Sequence, residues 1–101
     1  MTLRLLDDAR EEMRQSARWY EEKRSGLGDE FLDEVHAAFE EIEVHPKRFK
    51  KVEMEDSDRE IRRFIVKRFP FLVVYEVRAE EVLIVAVAHG KRKPHYWRDR
   101  A

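Results

Sequence analysis

The 101-residue sequence has no cysteine, and only three glycines and three prolines. Without thiols there is no disulfide framework, no cysteine nucleophile and no thiolate zinc site. So little glycine and proline excludes collagen-like and low-complexity classes. The longest unbroken apolar runs, 69–75 and 82–88, are seven residues each, where a membrane-spanning helix needs about 20. The first six residues lack a basic stretch followed by an apolar one, so no secretion signal is expected and the cytoplasm is the expected location. Histidines at 36, 45, 89 and 95 show no ligand spacing, and no metal or other cofactor is expected. Ser16, Ser25 and Ser57 lie in helix, turn and loop contexts with no nucleophile elbow.

What remains is 43% hydrophobic and 43% charged, with 11% aromatic. The apolar residues are large and patterned, which supports a core despite the charge. The length suits one domain over residues 1–101. A net charge of -1 argues against a strongly nucleic-acid-seeking protein, but it hides an asymmetry. Residues 1–45 carry 6 Lys/Arg against 13 Asp/Glu, whereas residues 61–101 carry 10 against 4. If the two halves occupy different faces, the molecule is polarised.

Residues 2–6 can form a first strand. Asp7 and Asp8 then offer a helix N-cap, with Glu11 three residues after Asp8. Ala9, Met13, Ala17 and Tyr20 continue at helical spacing, until Gly26 and Gly28 break the pattern. Phe31, Leu32, Val35, Ala38, Phe39 and Ile42 follow i, i+3, i+4, i+7, i+8, i+11 and predict a second helix, ended by Pro46. A short connection between two such helices predicts an antiparallel hairpin. Residues 47–60 read as a surface loop with a short extended piece. Residues 61–67, 71–77 and 82–88 read as three strands whose connections are too short for a crossover, hence an antiparallel meander. The expected class is α+β.

Residues 71–77 and 82–88 are apolar on both faces, where a sheet with one wet face would alternate. Two helices can cover about one face. The other needs the C-terminal segment, a second copy or a different chain. The expectation carried forward is that another polypeptide completes it.

Arg62 and Arg63 are adjacent on a predicted strand, so they point to opposite faces; one of them can clamp phosphate or carboxylate through its guanidinium fork. After the last strand come His89, Lys91, Arg92, Lys93, His95, Tyr96 and Trp97, basic residues interleaved with aromatics. That composition suits single-stranded nucleic acid and serves equally to grip an acidic protein segment. Gly90-Lys91-Arg92 lacks the residues of a phosphate loop. His89, His95 and Tyr96 are candidates for proton transfer. Trp19-Tyr20-Glu21 and Gly26-Leu27-Gly28 read as core aromatics and an interhelical turn.

In order, Trp19-Tyr20-Glu21, Gly26-Leu27-Gly28 with Phe31-Leu32, Pro46, Arg62-Arg63, Arg68-Phe69-Pro70-Phe71, Val74-Tyr75 and Val87-Ala88-His89-Gly90-Lys91-Arg92 with Tyr96-Trp97 resemble the RelE/ParE superfamily of type II toxins, long named plasmid stabilisation proteins. The likeness spans about residues 9–100. It implies a strand, a helical hairpin and a three-stranded meander packed on the helices, and a cognate antitoxin that wraps the toxin. It leaves open a homodimer or a toxin–antitoxin hetero-oligomer, and implies no membrane. In the ribonuclease branch, which cuts messenger RNA on the ribosome, Arg63, Arg92, Tyr96 and His89 would match catalytic positions. Two other basic positions of that branch correspond here to Ile65 and Leu72, which cannot stabilise a cleavage transition state. The ParE-like branch lacks those cations and inhibits DNA gyrase by contact. The resemblance favours it, with Arg62, Arg63, Lys91, Arg92, Tyr96 and Trp97 as contacts to target or antitoxin; the alternatives are the ribonuclease and an inactive family member that only dimerises or binds a partner.

Overall fold

The computed structural model describes residues 1–55 and 57–101; Asp56, inside the expected 47–60 loop, lies outside the described residues. The elements are β1 (Thr2–Leu5), α1 (Asp7–Lys23), α2 (Leu27–Val44), β2 (Lys50–Lys51), β3 (Glu60–Ile65), β4 (Phe71–Val77) and β5 (Glu81–His89). One five-stranded sheet has the order β1-β5-β4-β3-β2. Strands β3, β4 and β5 form the expected antiparallel meander. Strand β1 joins β5 in parallel, so the sheet is mixed; the chain from α1 to β4 lies between the two strands, far longer than the crossover a parallel pair requires. Among the described residues no helix is long and apolar enough to cross a membrane.

Helix α1 starts two residues earlier than the Asp8–Glu11 capping pattern predicts. Leu6 occupies the N-cap without a side-chain bond, and Asp7 and Asp8 lie in the first turn, where their charge favours the positive end of the helix dipole. Between the helices, Gly26 takes φ +90°, a left-handed conformation that costs any other L-residue about 1–2 kcal/mol. Glu21 closes the turn: its carboxylate accepts the Gly26 N–H at 3.0 Å and the Gly28 N–H at 3.0 Å. A Cβ on Gly28 would stand 2.6 Å from the Ala17 carbonyl oxygen. The Gly26-Leu27-Gly28 triplet therefore exists so that the first turn of α2 can lie against the last turns of α1.

The two helices and one sheet face enclose the larger core. Phe31, Val35 and Ile42 of α2 meet Ala9, Met13 and Ala17 of α1 over Val73, Tyr75, Val82 and Ile84. Strict alternation then places Ile61, Val74 and Leu83 on the opposite face. There β5 departs from alternation. Val74 pairs with Ala86 and Tyr75 with Ile84, leaving Val85 as an extra residue in a β-bulge. The bulge puts Val85 and Ala86 together on the outer face and returns Val87 to the helix side.

The chain itself covers the centre of the outer face, which corrects in part the expectation that another polypeptide completes it; Ile65, at the end of β3, stays 66% exposed. Trp97 is 4% exposed and joins Ile61, Val74, Leu83, Val85 and Ala86 in a second core, flanked by Leu6, Val52, Met54 and Tyr96. The C-terminal segment reaches this position through tight turns, the Tyr96 N–H bonding the Lys93 carbonyl and the Arg98 N–H the His95 carbonyl. His95 adopts φ +61° to make the bend.

Gly28→Ala is expected to destabilise the fold by about 1–3 kcal/mol, the usual cost of forcing atoms into a filled site. Urea unfolding monitored by circular dichroism measures it; an unchanged midpoint would contradict the close helix approach.

Candidate binding groove on the outer sheet face

Parity on β3 separates the two neighbouring arginines. Arg62 stands opposite Tyr75, on the helix side. Its Nη1 donates to the Phe49 carbonyl at 2.7 Å and its Nε to Glu60 Oε2 at 2.8 Å. The Arg62 bond, ahead of any other influence, holds the Glu60 carboxyl below the usual carboxylate range. Tyr75 completes this corner by donating its hydroxyl to the Pro46 carbonyl at 2.7 Å. Arg62 thus fixes the 46–49 turn and is not brought together with the other candidate residues.

Arg63 shares the outer face with Ile61 and lines a cavity of about 390 Å³. Its floor is Val52, Leu72, Val74 and Ala88, and Tyr96 and Trp97 form the wall supplied by the C-terminal segment. Lys50, Lys51, Arg63, Arg92 and Lys93 all line it, with Glu53 as the one carboxylate. None of these five cations has an ion-pair partner among the described residues. Five unneutralised charges in one concavity create a field that attracts anions and is weakened by salt. His89 also lines the cavity, and its Nδ1 accepts the Lys91 N–H at 3.0 Å. Of the sequence-derived candidates, Arg63, His89, Arg92, Lys93, His95, Tyr96 and Trp97 converge here; Lys91 is exposed and lines neither this cavity nor the next.

Beside it, a second cavity of about 510 Å³ opens between α1 and the end of β5, lined by Ser16, Trp19, Tyr20, Phe71, His89 and Arg92 among others. Trp19 is 55% exposed at its rim, with Lys23 Nζ 4.7 Å from its ring centre. His89 and Arg92 line both cavities.

Two carboxylates absent from the sequence-derived candidates hold the C-terminal segment. Glu12 of α1 accepts the Tyr96 hydroxyl at 2.6 Å, both Arg100 Nη groups at 3.0 Å and the Val87 N–H at 3.0 Å. Arg100 Nη1 also donates to the carbonyl of the bulged Val85 at 3.0 Å. Strand β1 covers β5 only as far as Ile84, so this cluster satisfies edge groups that β1 does not reach. On the other side lies Glu76, 7% exposed on the outer face. It accepts Arg59 at 3.0 Å and Arg78 at 3.1 Å. Those arginines in turn donate to the Arg98 carbonyl at 3.0 Å and the Ala101 main-chain oxygen at 2.8 Å. Burial first, and then the Glu12 bond and charge, hold the Tyr96 hydroxyl well above the usual phenol range. Burial lowers and Glu12 more than restores the affinity of Arg100 for its proton. A phenol so tied is a poor proton carrier at neutral pH.

The geometry defines a small α+β protein whose exposed chemistry is a cationic groove beside an aromatic cavity. Residues 3–94 match the family model described as the ParE toxin of the type II toxin–antitoxin system parDE, and the chain belongs to that family. Seven chains of solved structures match it. One, from the chromosomal ParDE TA system of P. aeruginosa, superposes with a TM-score of 0.65 at 17% identity, over 88% of this chain and 95% of that one. At that identity the likeness is one of fold. No curated protein matches the sequence.

Burial pushes the Tyr75 hydroxyl up to about 12, and Tyr96 moves in the same direction. Folding favours both protonated phenols. Their contribution is therefore complete below the unfolded tyrosine pKa of about 10 and is lost as pH rises from there toward the folded values. Stability is expected to decline above about pH 10, with the phenolate absorbance of these two tyrosines appearing together with unfolding. Ionisation of both while the circular dichroism stays native would contradict the burial of their hydroxyls.

Proposed function

We propose that the chain poisons its target by contact, as a DNA gyrase inhibitor acting in the cytoplasm, and that a cognate antitoxin protein neutralises it. Membership of the ParE family supports this reading. The observation that carries it is the Tyr96–Glu12 bond. In a ribonuclease reading Tyr96 or His89 must move a proton while Arg63 and Arg92 stabilise the developing phosphorane. Here the Tyr96 hydroxyl is committed to Glu12 at 2.6 Å, and Leu72 lies in the groove floor where a further cation would stand. Such a groove suits anion binding, and its tyrosine is not free to serve as the acid or base of cleavage.

Arg63 and Arg92 carry the contact in this proposal, with Lys50, Lys51 and Lys93 adding attraction at longer range. Tyr96 and Trp97 shape the groove wall. Arg62 serves the 46–49 turn and is left out of the proposed contact set.

The test is a supercoiling assay with purified gyrase and relaxed plasmid, alongside growth of cells making the chain alone. Inhibition, growth arrest and rescue by co-produced antitoxin are expected. Arg63→Ala and Arg92→Ala should each weaken inhibition by about 10- to 100-fold, the equivalent of losing a charge-assisted hydrogen bond. Undisturbed supercoiling together with discrete cuts in translated messenger RNA, mapped by primer extension, would reject the proposal in favour of the ribonuclease.

A further inference from the structure

Arg92 occupies an unusual position. It lines both the cationic groove and the aromatic cavity, so its guanidinium forms part of the wall between them. Its side chain makes no ion pair or hydrogen bond among the described residues. What fixes it is the face of Tyr96, with the guanidinium carbon 3.9 Å from the ring centre. A long, exposed arginine has several rotamers to lose when it binds a partner, and stacking on a held ring removes part of that loss beforehand.

The ring is held in turn from α1. Its hydroxyl donates to Glu12 at 2.6 Å. Glu12 is 15% exposed and is anchored by Arg100 and by the Val87 N–H. A chain of contacts thus runs from β5 through Glu12 to Tyr96 and Arg92. Four donor groups converge on two carboxylate oxygens. An amide in place of that carboxylate would turn its NH₂ toward donors, and could not satisfy them all.

We propose that Glu12 is a positioning residue of the binding surface: by fixing the Tyr96 hydroxyl it holds the Arg92 guanidinium in the wall shared by the two cavities. Glu12 also lines the aromatic cavity, but both of its carboxylate oxygens are taken up by Tyr96, Arg100 and the Val87 N–H. It acts through Tyr96, so that the groove is shaped before anything binds. The activity part of this inference rests on the groove being the contact surface of the proposed toxin; the structural part does not.

The structural part is read by nuclear magnetic resonance on the chain alone. Stacked on Tyr96, the Arg92 side-chain protons should be shifted upfield by the ring current. In Glu12→Gln, with the fold verified by circular dichroism, they should return toward unstructured values while those of Arg63 stay in place. Unmoved Arg92 resonances in a folded Glu12→Gln chain would overturn the proposal. If Glu12→Gln does not fold, Tyr96→Phe, which keeps the ring and cuts the link, is read in the same way with the same two outcomes.

The activity part is a double-mutant cycle in the gyrase assay. Glu12→Gln is expected to weaken inhibition by about tenfold in the wild-type background and by less than about twofold when Arg92 is already alanine. Equal, multiplying losses in the two backgrounds would overturn the proposal. If the wild-type chain leaves gyrase untouched, the functional reading fails by itself and the Arg92 resonances alone decide the positioning role.

Discussion

Strands β4 and β5 carry apolar side chains on both faces, and hiding the second face governs how the rest of the chain is arranged. The helical hairpin takes one face. On the other, Trp97 fills the space over Val74, Leu83 and Ala86. A tryptophan buries about 150–250 Å², which at about 25 cal/mol per Å² corresponds to an upper limit of about 4–6 kcal/mol. That is comparable to the whole net stability of a small domain. The C-terminal segment is therefore a structural element, although it contains no helix or strand.

Burial alone does not orient a segment with so few backbone hydrogen bonds, and two carboxylates do. Glu12 and Glu76 sit at opposite sides of the outer face, and each gathers arginines that reach the C-terminal main chain or hold its side chains. Both are largely buried, so each charge needs its partners in place. The same clamps determine the groove. Tyr96 and Trp97 form its wall because Glu12 holds the one and the sheet the other, while the carboxylates of the two clamps are taken up by Arg59, Arg78 and Arg100 and leave the groove cations unpaired.

Much of this was legible in the sequence. The i, i+3, i+4 series from Phe31 to Ile42 marks α2, and the β-branched runs mark β4 and β5. Placing the sheet's second cover was not. An excess of apolar strand surface is equally consistent with the chain's own tail or with a partner, and the sequence reading carried forward the partner. Family membership stands on the match over residues 3–94 and does not need an open sheet face. The bulge at Val85 was hidden because Val82–Ala88 is apolar at every position, so a one-residue slip in parity leaves no trace in the pattern. Parity also hid which of Arg62 and Arg63 faces the groove. The two clamps did leave a signal. Glu12 takes an i+3 slot in the stripe of Ala9, Met13, Ser16, Ala17 and Tyr20, and Glu76 interrupts the run from Phe71 to Val77. A carboxylate inside an apolar stripe calls for cations beside it, and the half-buried Arg59, Arg78 and Arg100 are those cations.

The covering of the outer face can be measured through its own tryptophan. The chain has two, Trp19 at 55% exposure and Trp97 at 4%. With Trp19 replaced by phenylalanine, the emission of Trp97 should be blue-shifted and resist acrylamide quenching until the protein unfolds. Red-shifted, readily quenched emission from the folded chain would mean that the C-terminal segment lies off the sheet, and the account of both the core and the groove would fail with it.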